Sequence, residues 1–362
     1  MLNPREAVRT LAGYHPPLAG RKGLRLDFNE NTVGCSPRVL EKLRNLDAEV
    51  LAKYPERGPV ETAVADFLGV KSSELLLTSG ADEAIHLLCE AYIEPGDEAL
   101  IVVPTYSMYR IYAMAASATV VSTLLSAGFQ FSADDMIRRI TKRTRLIAIA
   151  NPNNPTGTVA STEDLLAVAH AAPEAAVLID EAYFEFHRET ILRAWEECPN
   201  LFVARTFSKA YGLAGLRIGV LAGPVEQMSA VRRVASPYNV NAVALACLPE
   251  AIADQNYIER YVEEILEARV RLERSLEASG IQFWPSRANF VLMRAGQSSA
   301  EASRFVELMR QRGILVRDRS ADLGCEGCVR ITLGPREHAD NLLSALRHTH
   351  EEFGMAQGAS RA

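Results

Sequence analysis

Thr206-Phe207-Ser208-Lys209-Ala210-Tyr211-Gly212-Leu213-Ala214-Gly215-Leu216-Arg217-Ile218-Gly219 is the stretch on which the reading of this 362-residue chain turns. It follows one short apolar run, Leu201–Ala204, and leads into another, Arg217–Leu221. Lys209 is conspicuous there because the chain has only six lysines, the others being Lys22, Lys42, Lys53, Lys71 and Lys142. Arginine carries nearly all the remaining positive charge. A lysine that closes an apolar run, flanked by hydroxyls and glycines, is an odd device for solubility. It fits a reactive amine, because an amine can form a Schiff base and a guanidinium cannot.

Upstream, the same rhythm repeats. Glu74–Thr78 leads into Ser79-Gly80 and a helical pattern over Ala81–Ala91. Ala99–Val103 leads into Pro104-Thr105-Tyr106, Arg145–Ala150 into Asn151-Pro152-Asn153-Asn154-Pro155, and Ala175–Ile179 into Asp180-Glu181. Runs this short, apolar at every position, predict strands buried on both faces. Their alternation with helical patterns predicts an α/β fold around a mostly parallel sheet.

Past about residue 245 the pattern changes. Ile258–Ser279 reads as one long amphipathic helix. Gln282–Trp284, Ala288–Met293, Ile314–Val316 and Val329–Thr332 read as strands, with helices over Ser299–Arg312 and Pro335–Glu352. This predicts a smaller α+β domain over 246–362, completed by an N-terminal arm within 1–45, around a large domain over 46–245. The tail Met355–Ala362 is expected to lack structure.

Composition bounds the function. Net charge is -6, with 48% hydrophobic and 23% charged residues. That is ordinary for a soluble globular protein and argues against a dedicated nucleic-acid or anionic-membrane binder. No apolar run is long enough for a membrane helix and no signal-peptide pattern opens the chain, so a cytoplasmic location is expected. Six scattered cysteines give no disulfide framework. Cys325-Glu326-Gly327-Cys328 is a lone C-x-x-C with no second pair, a poor zinc motif, and no metal site is expected. Glu263, Glu264, Arg269 and Arg271 read as ion pairs on a helix surface.

In an open α/β sheet, ligands bind at the carboxyl ends of the strands. Gly80-Ala81-Asp82 opens a helix there, so its N–H groups can cradle an anion; the same residues also serve as a plain strand-to-helix turn. Arg217 can add a bidentate contact to a phosphate, or sit in an ion pair. Asp180 ends an apolar strand, where a carboxylate needs a cation or donors. A protonated pyridine nitrogen is one such partner and a turn cap is another role. Tyr183 fits a phenolic donor or a core tyrosine. Asn154 lies in a loop stiffened by prolines, which holds its amide in place.

Taken together, Asn-Pro-Thr-Gly (154–157), Asp-Glu-Ala-Tyr (180–183) and Ser-Lys-x₇-Arg (208–217), in this order and spacing, resemble the fold-type I pyridoxal-phosphate-dependent aminotransferases over nearly the whole chain. Within that group the chain is most similar to the histidinol-phosphate aminotransferases. The similarity lies in Thr206–Arg217, Pro237-Tyr238-Asn239-Val240-Asn241, Ala288-Asn289-Phe290-Val291-Leu292, Val316-Arg317-Asp318 and Val329-Arg330-Ile331-Thr332. The resemblance implies a seven-stranded, mostly parallel sheet sandwiched by helices, beside a smaller α+β domain.

It also implies roles. Lys209 would hold pyridoxal 5'-phosphate covalently and then move the substrate proton. Asp180 would pair with the pyridine nitrogen, and Asn154 and Tyr183 would bind the phenolic oxygen. Tyr106 would stack on the ring. Ala81, Asp82, Thr206, Ser208 and Arg217 would surround the phosphate, and Tyr54 would reach the partner subunit's phosphate in a homodimer. Arg330, Arg317 and Tyr14, with Asn154, would receive the substrate, an anionic amine, and 2-oxoglutarate would be the acceptor. Close alternatives are an aromatic amino acid aminotransferase and a phospho-amino-acid decarboxylase. A regulator domain fits poorly, because only about 25 residues precede Leu26-Asp27-Phe28-Asn29. A structural protein without catalysis is opposed by the intact Asn154, Asp180, Lys209 and Arg217.

Overall fold

The computed structural model describes residues 2–13 and 20–359. It contains β1 (Leu24–Arg25), β2 (Leu75–Thr78), β3 (Glu98–Val103), β4 (Thr119–Leu124), β5 (Thr144–Ala150), β6 (Ala176–Asp180), β7 (Leu201–Thr206) and β8 (Gly219–Ala222). Beyond these come β9 (Phe283–Trp284), β10 (Phe290–Arg294), β11 (Ile314–Leu315), β12 (Arg317–Asp318) and β13 (Cys328–Thr332).

Seven strands form one sheet in the order β2-β8-β7-β6-β5-β3-β4, and only β8 runs against its neighbours. The apolar runs predicted from the sequence are six of its seven strands, the buried edge strand β2 included. They are apolar at every position because each face meets helices. Leu146, Ala148 and Ala150 of β5 pack into one core, while Ile147 and Ile149 pack into the other. The edge strand β4 was not foreseen. Thr119, Ser122 and Thr123 break its apolar run, and only Thr123 is buried. A half-exposed edge needs no apolar signature.

A four-stranded sheet, β12-β13-β10-β9, is antiparallel throughout. The N-terminal β1 pairs in parallel with β11, Leu24 opposite Ile314. The long helix predicted over Ile258–Ser279 spans Gln255–Ala278. Arg269 on it is not part of a surface ion pair. It is buried and donates to the Ala288 carbonyl at 3.2 Å, while Arg271 pairs with Asp340. The last helix runs over Arg336–Ala359, past the expected stop at Glu352. No helix among the described residues is long and apolar enough to cross a membrane.

Candidate active site

The carboxyl ends of β2, β3, β5, β6 and β7 share one edge of the large sheet, and the antiparallel β8 starts there. Gly219 lies opposite both Thr78 and Thr206 in register. This single register gathers Gly80, Ser208 and Arg217, which lie far apart in sequence. The helix Ala81–Tyr92 receives no side-chain cap on its first turn. Its orphan N–H groups therefore face the cleft, where the helix dipole favours an anion. Gly80 has φ +76°, and a Cβ on it would lie 2.6 Å from the Arg217 guanidinium. Arg217, itself at φ 51°, donates to Asp82 at 3.2 Å. Ser208 closes the group, its N–H donating to Thr206 Oγ1 at 3.2 Å and its hydroxyl accepting from Thr206 at 3.0 Å. The strand predicted from Arg217 starts two residues later, because Arg217 occupies the left-handed conformation that ends the preceding turn. A helix terminus, two hydroxyls, a guanidinium and a glycine that admits no side chain fit a phosphate.

Asp180 is the last residue of β6 and is buried. Tyr109 Oη donates to its Oδ2 at 2.6 Å and the Ala182 N–H to its Oδ1 at 3.0 Å. Among the described residues Asp180 forms no ion pair, and burial lifts its carboxyl to about 6 despite the two donors. A buried carboxylate held only by neutral donors suits a cationic N–H. Tyr106 stands beside it with its ring edge-on to Tyr109, centroids 5.8 Å apart, and its hydroxyl donates to Asp82 at 2.8 Å.

Lys209 is part-buried and its Nζ donates to the Phe28 carbonyl at 3.3 Å. Burial first, and then the positive field of Arg330, lower its pKa from 10.5 to about 8. The amine lies 6.0 Å from the centre of the Tyr183 ring. Tyr183 is buried edge-on to Phe290, and its hydroxyl accepts from Asn29 Nδ2 at 2.9 Å.

Arg330 sits on β13, donating at 2.6 Å to Asn154 Oδ1 and at 2.7 Å to the Asp27 carbonyl. The first bond fixes the flip of Asn154: Oδ1 accepts, so the Nδ2 donors face away from Arg330. The Asn154 loop is itself pinned, since Asn153 donates to the Pro104 carbonyl at 2.9 Å and accepts from Thr105 at 2.7 Å. Arg317 lies directly opposite Arg330 in the β12–β13 register. Like charges in that relation repel unless an anion joins them. Arg317 makes no ion pair among the described residues and lies over the Phe28 ring at 5.3 Å. Arg21 covers the same ring at 4.2 Å, but its charge is met by Asp27 and Glu30. A cavity of about 340 Å³ opens beside Arg317, lined also by Arg21, Asp27 and Arg310.

Lys209, Asp180, Tyr183, Asn154, Tyr106, Ala81, Asp82, Thr206, Ser208, Arg217, Arg330 and Arg317 thus lie along the strand ends and the facing edge of the four-stranded sheet. Tyr54 stands apart, 78% exposed and stacked on Tyr238 at 4.3 Å. Tyr14 lies outside the described residues. The sequence reading missed Tyr109 and Asn29. Tyr109 had a signal, the helical spacing Tyr106-x-x-Tyr109 at a strand end. Asn29 carries φ 56°, donates through its N–H to Thr332 Oγ1 at 3.0 Å and accepts from Thr332 at 3.0 Å and Asn289 at 3.2 Å. Its partners lie 154 to 303 residues away, and no local pattern announces them.

Comparison with known proteins agrees with this geometry. The family described as "Aminotransferase class I and II" matches residues 21–346. A histidinol-phosphate aminotransferase of Dehalococcoides mccartyi is 34% identical over 349 residues, covering 94% of this chain and 96% of that one. The structure of a histidinol-phosphate aminotransferase from Sinorhizobium meliloti in complex with pyridoxal-5'-phosphate superposes with a TM-score of 0.88 at 26% identity, over 97% of this chain and 98% of that one. An aspartate aminotransferase from Thermus thermophilus with maleate gives 0.77 at 25% identity, over 91% and 92%. The chain belongs to the aminotransferase class I and II family and is a pyridoxal-phosphate-dependent aminotransferase.

Proposed function

We propose that this enzyme transfers the amino group of histidinol phosphate to 2-oxoglutarate. The observation that carries the substrate is the Arg317–Arg330 pair, two arginines opposite one another in the register of adjacent strands, a charge suited to a phosphate dianion. The full-length similarity to enzymes named for that substrate supports it. The wider family's shared cradle cannot choose the substrate, since an aspartate aminotransferase has the same fold.

Bound pyridoxal phosphate supplies a carbonyl that captures amines and a ring that withdraws electrons from the substrate Cα. The chain supplies the rest. The N–H groups of Ala81 and Asp82, with Thr206, Ser208 and Arg217, hold the phosphate. Asp180 keeps the proton on the pyridine nitrogen. Asn154 Nδ2 and Tyr183 Oη would bind the phenolic oxygen, and Tyr106 would stack on the ring. Lys209 would hold the cofactor covalently, and its Nζ, once free, would be the group that takes up and carries the substrate's Cα proton. Arg330 and Arg317 would seat the substrate anion, with Tyr14 and Asn154 as further contacts, so that Cα faces Lys209. Two subunits complete each site, with Tyr54 reaching the partner's phosphate, consistent with its exposure in one chain. The arm and part of the small domain occupy 1–45, the cofactor domain 46–245 and the small domain 246–362. The enzyme acts in the cytoplasm.

The test is a half-reaction screen. Histidinol phosphate, phenylalanine and phosphothreonine are each added to the yellow holoenzyme, and conversion to the pyridoxamine form is followed by absorbance. Histidinol phosphate is expected to react fastest. Silence toward it beside a fast response to phenylalanine sinks the substrate reading and leaves the aminotransferase intact.

Tyr109→Phe removes one of the two donors to Asp180 and adds nothing. A hydrogen bond to a charged group contributes about 1.5–3 kcal/mol, so pyridoxal phosphate should bind roughly ten- to hundredfold more weakly at pH 7. The Asp180 carboxyl, already lifted to about 6, should rise further, so the loss deepens as pH falls toward 6. A titration showing unchanged affinity at both pH values removes Tyr109 from the site.

A further inference from the structure

Cys325 and Cys328 are free, fully buried thiols that the transamination chemistry does not use. The Cys328 N–H donates to the Cys325 carbonyl at 2.9 Å, closing a hydrogen-bonded turn over Cys325-Glu326-Gly327-Cys328. Gly327 takes φ +72° as the third residue of that turn, and a Cβ on it would strike the Gly296 carbonyl. Such a turn brings its end Cα atoms within about 7 Å. A disulfide bridges Cα atoms about 4.4–6.8 Å apart. Both thiols pack in one small apolar cluster with Phe129, Trp284 and Leu292, away from the three larger cores.

The surroundings set the two sulfurs apart from the other four. Cys328 Sγ donates to the Glu326 carbonyl at 3.8 Å, Cys325 pairs with it, and Arg294 stands near. Pairing with Cys325, and after it the charge of Arg294, holds the Cys328 thiol below its ordinary range, while pairing with Cys328 and burial raise that of Cys325. Arg294 also donates to the Glu326 carbonyl inside the turn at 2.6 Å. Burial raises the thiols of Cys35, Cys198 and Cys247, and pushes Cys89 up to about 12. A thiol held below its ordinary range beside a proton-bearing partner is the arrangement that thiol–disulfide exchange requires. Access comes from the segment around the start of the pair. Ala321, Leu323, Gly324 and Glu326 are all exposed, so local opening there uncovers the sulfurs without unfolding a core.

We propose that Cys325 and Cys328 form a reversible intramolecular disulfide, a modification site on the turn that launches β13 toward Arg330. The oxidant is a low-molecular-weight disulfide. The Cys328 thiolate attacks one of its sulfurs, forming a mixed disulfide and releasing one small thiolate. Cys325 then gives up its proton and attacks Cys328 Sγ, releasing the second. Two protein thiols are oxidised, one small disulfide is reduced to two thiols, and the two protons pass to those thiols.

The folded holoenzyme is equilibrated with graded ratios of oxidised to reduced glutathione, quenched in acid, unfolded, alkylated and mapped by peptide mass. The expected result is a peptide containing Cys325 and Cys328 that lightens by two hydrogens and loses both alkylation sites together. Dithiothreitol restores it, and Cys35, Cys89, Cys198 and Cys247 remain alkylated. In Cys325→Ser, Cys328 should instead retain a glutathione adduct. The proposal is overturned if the native pair stays fully alkylated at ratios that half-oxidise the same peptide after unfolding. It is also overturned if any of the other four cysteines oxidises first. Neither outcome bears on which amine the enzyme uses.

Discussion

Lys209→Ala leaves a folded protein that binds pyridoxal phosphate without a covalent link, and multiple-turnover transamination falls by about 10⁴-fold or more. No other described side chain supplies an amine to this cleft, and Lys209 is the last lysine of the chain. The measurement is turnover together with the absorbance band of the lysine-bound cofactor, which should vanish. Retained turnover would falsify the assignment. The wild-type protein offers a second readout. Attachment requires the neutral amine, and Lys209 is held near 8, well below an ordinary lysine. Reconstitution of cofactor-free enzyme should therefore speed up about tenfold per pH unit below 8 and level off above it. An acceleration that continues to pH 10 means the amine is not depressed.

Arg330→Lys is expected to lower kcat/KM for the anionic amine by about 10²–10³. Two charge-assisted bonds contribute about 1.5–3 kcal/mol each, and an ammonium cannot keep both Asn154 and the Asp27 carbonyl while reaching an anion. The loss should fall mainly in KM, because the anion is bound equally before and during the chemistry. Arg317→Ala should cost less, since Arg317 is partly exposed and its only described ring contact is Phe28. Steady-state kinetics of both variants decides the order. Equal, small effects remove Arg330 from the substrate site.

What the sequence revealed and what it hid have separate physical causes. The central strands were legible because burial on both faces demands an apolar residue at every position, as in Leu146–Ala150. Thr119–Leu124 was hidden because an edge strand half open to solvent does not. Lys209, Asp180, Asn154 and Arg217 could be picked out because each stands at a strand end, where polar residues interrupt apolar runs. Asn29 could not, because its work depends on a partner that only folding brings near, Thr332, 303 residues away; Tyr109 stood at helical spacing from Tyr106, but its bond to Asp180, 71 residues on, exists only in the fold. Arg269 looked solvated beside its charged neighbours, yet the fold turns it onto the Ala288 carbonyl. Helical periodicity alone did not say which way that residue faced.

The depressed pKa of Lys209 owes part of its shift to the charge of Arg330. An anion seated on Arg330 cancels some of that charge, and Lys209 then holds a proton more tightly. Linkage makes the relation symmetric: protonation of Lys209 must tighten the grip on the anion by the same factor. A substrate that arrives with its anionic end docked thereby makes the amine opposite its Cα a stronger base. An amine lacking that end meets a weaker one, so selection for charge at one end of the substrate is felt as basicity at the other.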